Sequence, residues 1–210
     1  MIFRPDYMQA IKAFKDKPLV KILTGVRRCG KSTIFLMLRE ELIKEGVSEK
    51  DIIEKRYTDM DIPENITAKQ MYDELIEAIG DKKHCYLLLD EIQEVPDWER
   101  AVNNLLECGK ADIYITGSNS KLMSSEISTY LTGRYIQIPV FTLSFREYID
   151  FKKDSRKSKT ELLEEYIRFG GFPIIALGEY EPQQAYQIVN GIYYTVVSRD
   201  IVKRHRINKQ

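Results

Sequence analysis

Cysteine is scarce in this chain, with three residues (Cys29, Cys85 and Cys108) among 210. An odd, widely separated set argues against a disulfide framework and a zinc site, and it fits a reducing cytoplasm. Histidine is scarcer still, at two residues. Neither His84 nor His205 has a neighbour at a spacing that metal or nucleophilic chemistry would use. Charge of one sign is also lacking: Lys plus Arg and Asp plus Glu both number 32. Whole-chain charge therefore gives no case for a nucleic-acid partner. No apolar run approaches the roughly 18 residues that a membrane span needs. The opening Met1-Ile-Phe-Arg-Pro-Asp6 has no apolar stretch of the signal-peptide kind. What is present is a 43% apolar, 30% charged chain, enough for one generous domain or a domain with a small appendage.

Three short apolar segments read as buried strands: 19–24, 85–89 and 113–116. Weaker strand patterns cover 52–57 and 135–140. Helical periodicity lies between them. Thr67 with Gln70 three positions on reads as a capping box. Asp97 reads as the cap of a helix carrying Trp98, Ala101, Val102, Leu105 and Leu106 on one face, with Gly109 ending it. Strands alternating with helices predict an α/β fold, a mostly parallel sheet covered on both faces. After about Phe141 helical pattern dominates, over 144–152, 161–169 and from Pro182 onward. The last stripe runs through Ala185, Ile188, Val189, Ile192 and Ile201 without a stop signal. These patterns predict a core over 1–142 and a helical, lid-like or winged-helix-like region over 143–210.

The sharpest motif is Gly25-Val-Arg-Arg-Cys-Gly30-Lys31-Ser32, which satisfies G-x-x-x-x-G-K-[ST] between a strand and a helix. Gly25 and Gly30 permit backbone angles that a Cβ obstructs. Successive N–H groups at the helix start suit a phosphate. Lys31 is expected to reach the β- and γ-oxygens, and the Ser32 hydroxyl to coordinate Mg²⁺. Arg28, Cys29 and Thr33 complete the expected phosphate-binding set. Arg27 and Arg28 can reach a phosphate or a carboxylate, or stand as a solvated pair. Cys29 reads as a small loop side chain or a redox-sensitive one.

The second motif is Tyr86-Leu87-Leu88-Leu89-Asp90-Glu91, a buried strand ending in two acids. Asp90 is the expected metal ligand, and Glu91 the expected general base that orients the attacking water. An acid directly after the metal-binding Asp suits hydrolysis better than transfer to a second substrate. The Asn-Lys-x-Asp tetrad and the Asp-x-x-Gly of GTPases are absent, so ATP is preferred to GTP by elimination.

Two further segments carry open readings. Ile115-Thr116-Gly117-Ser118-Asn119-Ser120 places Ser118 or Asn119 near the γ-phosphate or the water, or else caps the next helix. In Leu131-Thr132-Gly133-Arg134, Arg134 is either an arginine finger, within the subunit or from a neighbour, or a surface arginine before a strand. The basic stretches 152–159 and 199–209 are either solvated faces or phosphate-backbone contacts. Gly170-Gly171-Phe172-Pro173 is a rigid break between helices, either a turn with Phe172 packed inward or a segment that positions a lid.

Together GVRRCGKS, LLLDEIQEVPDWE, ITGSNS, LTGRY with PVFTLSFREY, and GGFP resemble a bacterial and archaeal family of AAA-type P-loop ATPases. The blocks span roughly Lys21 to Pro173. The resemblance implies an additional-strand P-loop fold with a helical region after the core, and a further C-terminal domain as partner. It assigns phosphate binding to Gly30, Lys31 and Ser32, magnesium to Asp90, and water activation to Glu91. Asn119 stands where serine is frequent, which weakens a sensing role there.

The leading expectation is a cytoplasmic, Mg-dependent ATPase coupled to a partner domain or substrate, with self-association open. An ATP-gated switch with little turnover uses the same loop. A small-molecule kinase lacks an identifiable acceptor pocket and lid. A DNA-binding module would rest on the basic C-terminal run.

Overall fold

The computed structural model describes residues 2–118 and 130–197, with the side chain of Ser118 excepted. Asn119, Ser120, Ile201 and the basic run from Arg199 lie outside the described residues. So does the side chain of Ser118.

The strand patterns form a five-stranded parallel sheet: β1 (Val20–Gly25), β2 (Ile52–Arg56), β3 (Cys85–Asp90), β4 (Ala111–Ser118) and β5 (Tyr135–Pro139). The order is β2-β3-β4-β1-β5. β4 therefore stands between the strand before the glycine loop and the strand that ends in two acids. This is the additional-strand arrangement. β1 and β3 are buried along their whole length, β3 as a mostly apolar run and β1 with Lys21 and Thr24 among its apolar residues. Edge strand β2 has one buried position, Ile52, its other residues being part-exposed or exposed, and it gave the weaker signal.

Helices α1 (Pro5–Lys12), α2 (Lys31–Lys44), α3 (Ala68–Ile79) and α4 (Trp98–Glu107) accompany the sheet. Thr67 and Gln70 do form a capping box. Asp97 differs from expectation: it occupies the N-cap position of α4 in a left-handed conformation (φ 56°), and its side chain makes no capping bond. Trp98, Ala101, Val102 and Leu105 join Leu87, Leu89, Ile113 and Ile115 in one apolar cluster. Each fully buried side chain of this size contributes about 1.5–3 kcal/mol relative to exposure.

The C-terminal part holds α5 (Phe145–Phe151), α6 (Lys159–Phe169), α7 (Pro173–Leu177) and α8 (Pro182–Thr195). Reciprocal capping boxes start α5 (Ser144, Glu147) and α6 (Ser158, Glu161). Leu143, Tyr148, Leu162, Phe169, Ile175, Ala176 and Ala185 make its own core. Between α6 and α7, Gly171 lies so close to the chain that an added Cβ would meet the Leu143 carbonyl at 2.1 Å. The Leu143 amide donates to the Gly171 carbonyl at 2.7 Å.

The chain divides into two compact units. One comprises Pro5–Thr24 and Lys31–Pro139; the other comprises the described parts of Met1–Arg4, Gly25–Gly30 and Val140–Gln210. The glycine loop groups with the helical unit. Arg4 and the close approach of Gly25 to Val140 are the physical reason, as the loop geometry shows. No helix among the described residues is long and apolar enough to cross a membrane.

Candidate functional site

The loop Gly25–Gly30 is held from behind by its own unit. A Cβ at Gly25 would sit 2.3 Å from the Val140 carbonyl oxygen, so only glycine fits. Gly30 has φ +104°, a backbone region that side chains rarely adopt. Arg28 is left-handed as well, at φ 64°, and its side chain is exposed. Cys29 is fully buried, which sets its thiol apart from surface redox chemistry.

Sequence reasoning missed Arg4, which is buried at 3% exposure. Its Nη1 donates to the Cys29 carbonyl at 3.2 Å, its Nη2 to the Phe141 carbonyl at 3.2 Å, and its Nε to Glu147 Oε1 at 2.7 Å. Three acceptors on three segments thus share one planar guanidinium, a task suited to arginine rather than lysine. Burial alone pushes the Glu147 carboxyl up, but Arg4 and the Ser144 donors outweigh it and hold the group below the ordinary glutamate range. The signal in sequence was faint: one arginine before a proline, 21 positions from the loop's first glycine.

The sheet unit carries its own set of polar residues. Lys31 opens α2 at 4% exposure, followed by part-buried Ser32 and exposed Thr33. The first turn of α2 carries no acid, so its own side chains leave the helix's positive end uncompensated. Asp90 ends β3 with a buried carboxylate, and Ser32 and Asp90 line one shallow cleft together with Arg56 and Asp59. The Thr116 hydroxyl, from β4, donates to Asp90 Oδ1, and Arg56 Nε donates to Asp90 Oδ2 at 3.1 Å.

Glu91 follows in a left-handed conformation, φ 54°. For a residue with a Cβ this costs about 1 kcal/mol or more, and such strain persists where surrounding bonds impose it. Here the Glu91 amide donates to Thr116 Oγ1 at 3.1 Å, and Gln93 Nε2 donates to the Glu91 carboxylate. Thr116 and Gln93 were both missed as site residues. A polar residue ending the apolar strand beside Asp90 is the signal for Thr116, because β3 and β4 run in parallel register with Leu89 opposite Ile115.

Arg134 is not brought to this cleft. It precedes β5, its carbonyl accepts from the Val20 amide at 2.9 Å, and it lies where the strands begin. Its guanidinium bonds Asn103 Oδ1 at 2.6 Å and Glu107 Oε1 at 3.2 Å. Asp90 and Glu91 lie where β3 ends, at the opposite edge of the sheet. An arginine finger acting within its own subunit does not agree with that position. Ser118 is placed only as the last residue of β4.

With strand order, loop and acid pair established, comparison with known proteins gives the family. A family model described as an AAA domain matches residues 17–149, more than half of the chain. The chain belongs to the AAA domain family. An uncharacterized protein of Haemophilus influenzae is 35% identical over 208 residues, covering 97% of this chain and 51% of its own length. Two uncharacterized proteins of Methanocaldococcus jannaschii are 35% and 26% identical, with 44% and 45% of their lengths covered. The chain thus spans about half the length of the curated relatives it matches. Among solved structures, a DNA polymerase III gamma subunit-related protein of Thermotoga maritima superposes with TM-score 0.52 at 16% identity, covering 87% of this chain and 57% of that one. Hsp104 of S. cerevisiae, in a complex with casein, gives TM-score 0.55 at 13% identity, with 98% and 43% covered. These two likenesses establish the AAA-type fold.

Proposed function

We propose that this chain binds Mg·ATP and hydrolyses it to ADP and phosphate, in a cycle that drives a partner domain or substrate. Membership of the AAA domain family supports nucleotide binding in general. The observation that carries the finer reading is the end of β3, where Asp90 shares a cleft with the Ser32 hydroxyl and Glu91 is held in a strained conformation by Thr116.

In this reading the backbone amides from Gly25 to Gly30, with Arg28, Cys29 and Thr33 flanking, surround the phosphates, and Lys31 neutralises the β- and γ-oxygens. The donor set at the β3 end fits magnesium. A hydroxyl and a buried carboxylate are hard oxygen ligands, and the carboxylate already accepts from one cation, Arg56. Ser32 and Asp90 would hold the ion, which when bound offsets negative charge on the phosphate oxygens. Glu91 accepts a proton from the attacking water and aligns it with the phosphorus. Its φ of 54° turns the side chain's base off the line of β3, and the Thr116 bond keeps it there. Ser118, at the end of β4, is assigned to the γ-phosphate or the water. Arg134, lying at the far edge of its own sheet, is assigned to a neighbouring subunit's site, which makes self-association part of the proposal.

The test is phosphate release from Mg·ATP over a wide range of protein concentration, with Glu91→Gln as control. Turnover per subunit that rises with concentration and is lost in Glu91→Gln supports a site completed by assembly. ATP bound without turnover at any concentration would replace hydrolysis with a nucleotide-gated switch.

A further inference from the structure

We propose that Arg56 is a built-in competitor of magnesium: its guanidinium neutralises Asp90, must leave for the ion to bind, and so sets the magnesium demand of nucleotide binding. The inference rests on the nucleotide-site reading above and adds a regulatory residue to it.

β2 runs parallel to β3 with Arg56 opposite Asp90. That register puts the last side chain of β2 beside the acid, and Arg56 Nε donates to Asp90 Oδ2 at 3.1 Å. The other oxygen, Oδ1, accepts from the Thr116 hydroxyl. Both carboxylate oxygens are therefore engaged by protein donors. Thr116 is a neutral donor on a fully buried strand position, and it orients the carboxylate without opposing a cation. Arg56 is different. It brings a full positive charge onto the carboxylate that would hold the ion, and like charges at such a separation repel.

The exposure of the two partners decides which of them yields. Asp90 is 7% exposed at the side chain, whereas Arg56 is 48% exposed. The carboxylate is fixed at the end of a central strand, while the guanidinium reaches onto it from solvent and can swing away. A second seat is nearby: Asp59 Oδ1 lies 4.0 Å from Arg56 Nη1 and lines the same cleft as Ser32 and Asp90. A shift from Asp90 to Asp59 exchanges one carboxylate partner for another, so release costs less than full solvation of an unpaired charge.

The probe is N-methylanthraniloyl-ADP, whose fluorescence reports binding without turnover. The quantity measured is the Mg²⁺ concentration at which its binding is half-enhanced, relative to binding in EDTA. Replacing the guanidinium in Arg56→Gln should lower that concentration by about two- to five-fold, the range expected for a part-exposed ion pair. Asp59→Asn, which removes the second seat, should raise it. Lys55→Gln removes a neighbouring cation that is not bonded to Asp90 and should leave it unchanged. An unshifted or higher magnesium demand in Arg56→Gln overturns the inference, and so does an equal fall in Lys55→Gln. If the parent binds the probe and only these shifts fail, the nucleotide-site reading stands alone. A parent that binds no probe at any Mg²⁺ concentration overturns both.

Discussion

The Thr116 hydroxyl accepts a hydrogen bond from the Glu91 amide at 3.1 Å, and the same hydroxyl donates to the carboxylate of Asp90. One buried atom on β4 therefore fixes two consecutive acids, Asp90 at the end of β3 by its side chain and Glu91 just after it by its backbone. Thr116→Val keeps the shape and removes both bonds. It leaves a part-buried amide without its acceptor, at a cost of about 1 kcal/mol or more. The expected outcome is a lower unfolding midpoint together with phosphate release reduced at least about ten-fold in kcat, since Glu91 loses its hold. Thr116→Ser, which restores the hydroxyl, should recover most of both. Thermal unfolding and steady-state turnover of the two variants check this, and full activity in the valine variant would remove Thr116 from the site.

The two motifs make separable predictions. Lys31→Ala should abolish Mg·ATP binding, because no other cation on α2's first turn replaces the charge at the phosphates. Glu91→Gln should retain binding and lose turnover, since the amide cannot take the proton of water. Isothermal titration with ATP measures the first and phosphate release the second. Equal affinity in Lys31→Ala and parent would sink the loop assignment.

The contrast between these residues and Arg4, Arg56 and Thr116 shows where the sequence was legible. Gly25, Gly30, Lys31, Ser32, Asp90 and Glu91 lie on two contiguous segments, each beginning at a fully buried strand, so spacing along the chain already reports proximity. Strand identity was equally plain, because β1, β3 and β4 each hold a short apolar or β-prone core bounded by turn or charged residues. Thr116 and Arg56 reach Asp90 only through strand order and register, which no local pattern encodes. Arg4 meets Glu147 across 143 positions of sequence, and its three acceptors include two backbone carbonyls that carry no side-chain signature. Arg134 shows the converse. Its motif left an arginine finger and a surface arginine both open, and the parallel register sets it at the edge where strands begin.

Arg4 and Glu147 carry a pH prediction. The folded pKa of Glu147 lies below its ordinary value of 4.5, held down by Arg4 and Ser144 against the effect of burial. Above that ordinary value both folded and unfolded states are ionised, and the full stabilisation is present. As pH falls below it the unfolded state takes up the proton first, so stability drops, and the contribution is gone once pH passes the folded pKa. Glu147→Gln should therefore be less stable than the parent at neutral pH and lose less stability between about pH 5 and pH 3. Urea unfolding across that range measures both. Arg4→Ala should in addition weaken ATP binding, because the Cys29 carbonyl loses a donor that holds the loop.

At the other end of the sheet, Lys21 on β1 and Asp112 on β4 form an ion pair with both side chains almost wholly buried. Tyr114 Oη donates to Asp112 at 2.7 Å, and the Asp16 amide donates to it at 2.8 Å. Breaking such a pair leaves an uncompensated buried charge, which typically costs about 3–5 kcal/mol. Asp112→Ala should lose stability on that scale, while Lys21→Met combined with Asp112→Leu should lose much less. Chemical denaturation of the single and double variants checks the difference. ATP affinity of the double variant should match the parent, since these groups lie where the strands begin.

Arg134 gives the test of assembly. In its own subunit it is bonded to Asn103 and Glu107, at the sheet edge opposite Glu91. If it acts, it acts on a neighbour, and the two halves of a site then belong to different chains. Arg134→Ala alone should bind ATP normally and release phosphate at least about a hundred-fold more slowly, as removal of an arginine finger does. Glu91→Gln alone should be inactive for a different reason. Mixing the two creates interfaces in which an intact Glu91 from one chain meets an intact Arg134 from the other, so turnover should reappear in the mixture. No recovery, at concentrations where the parent's turnover per subunit has levelled off, would exclude a trans role and leave Arg134 with its structural bonds to α4.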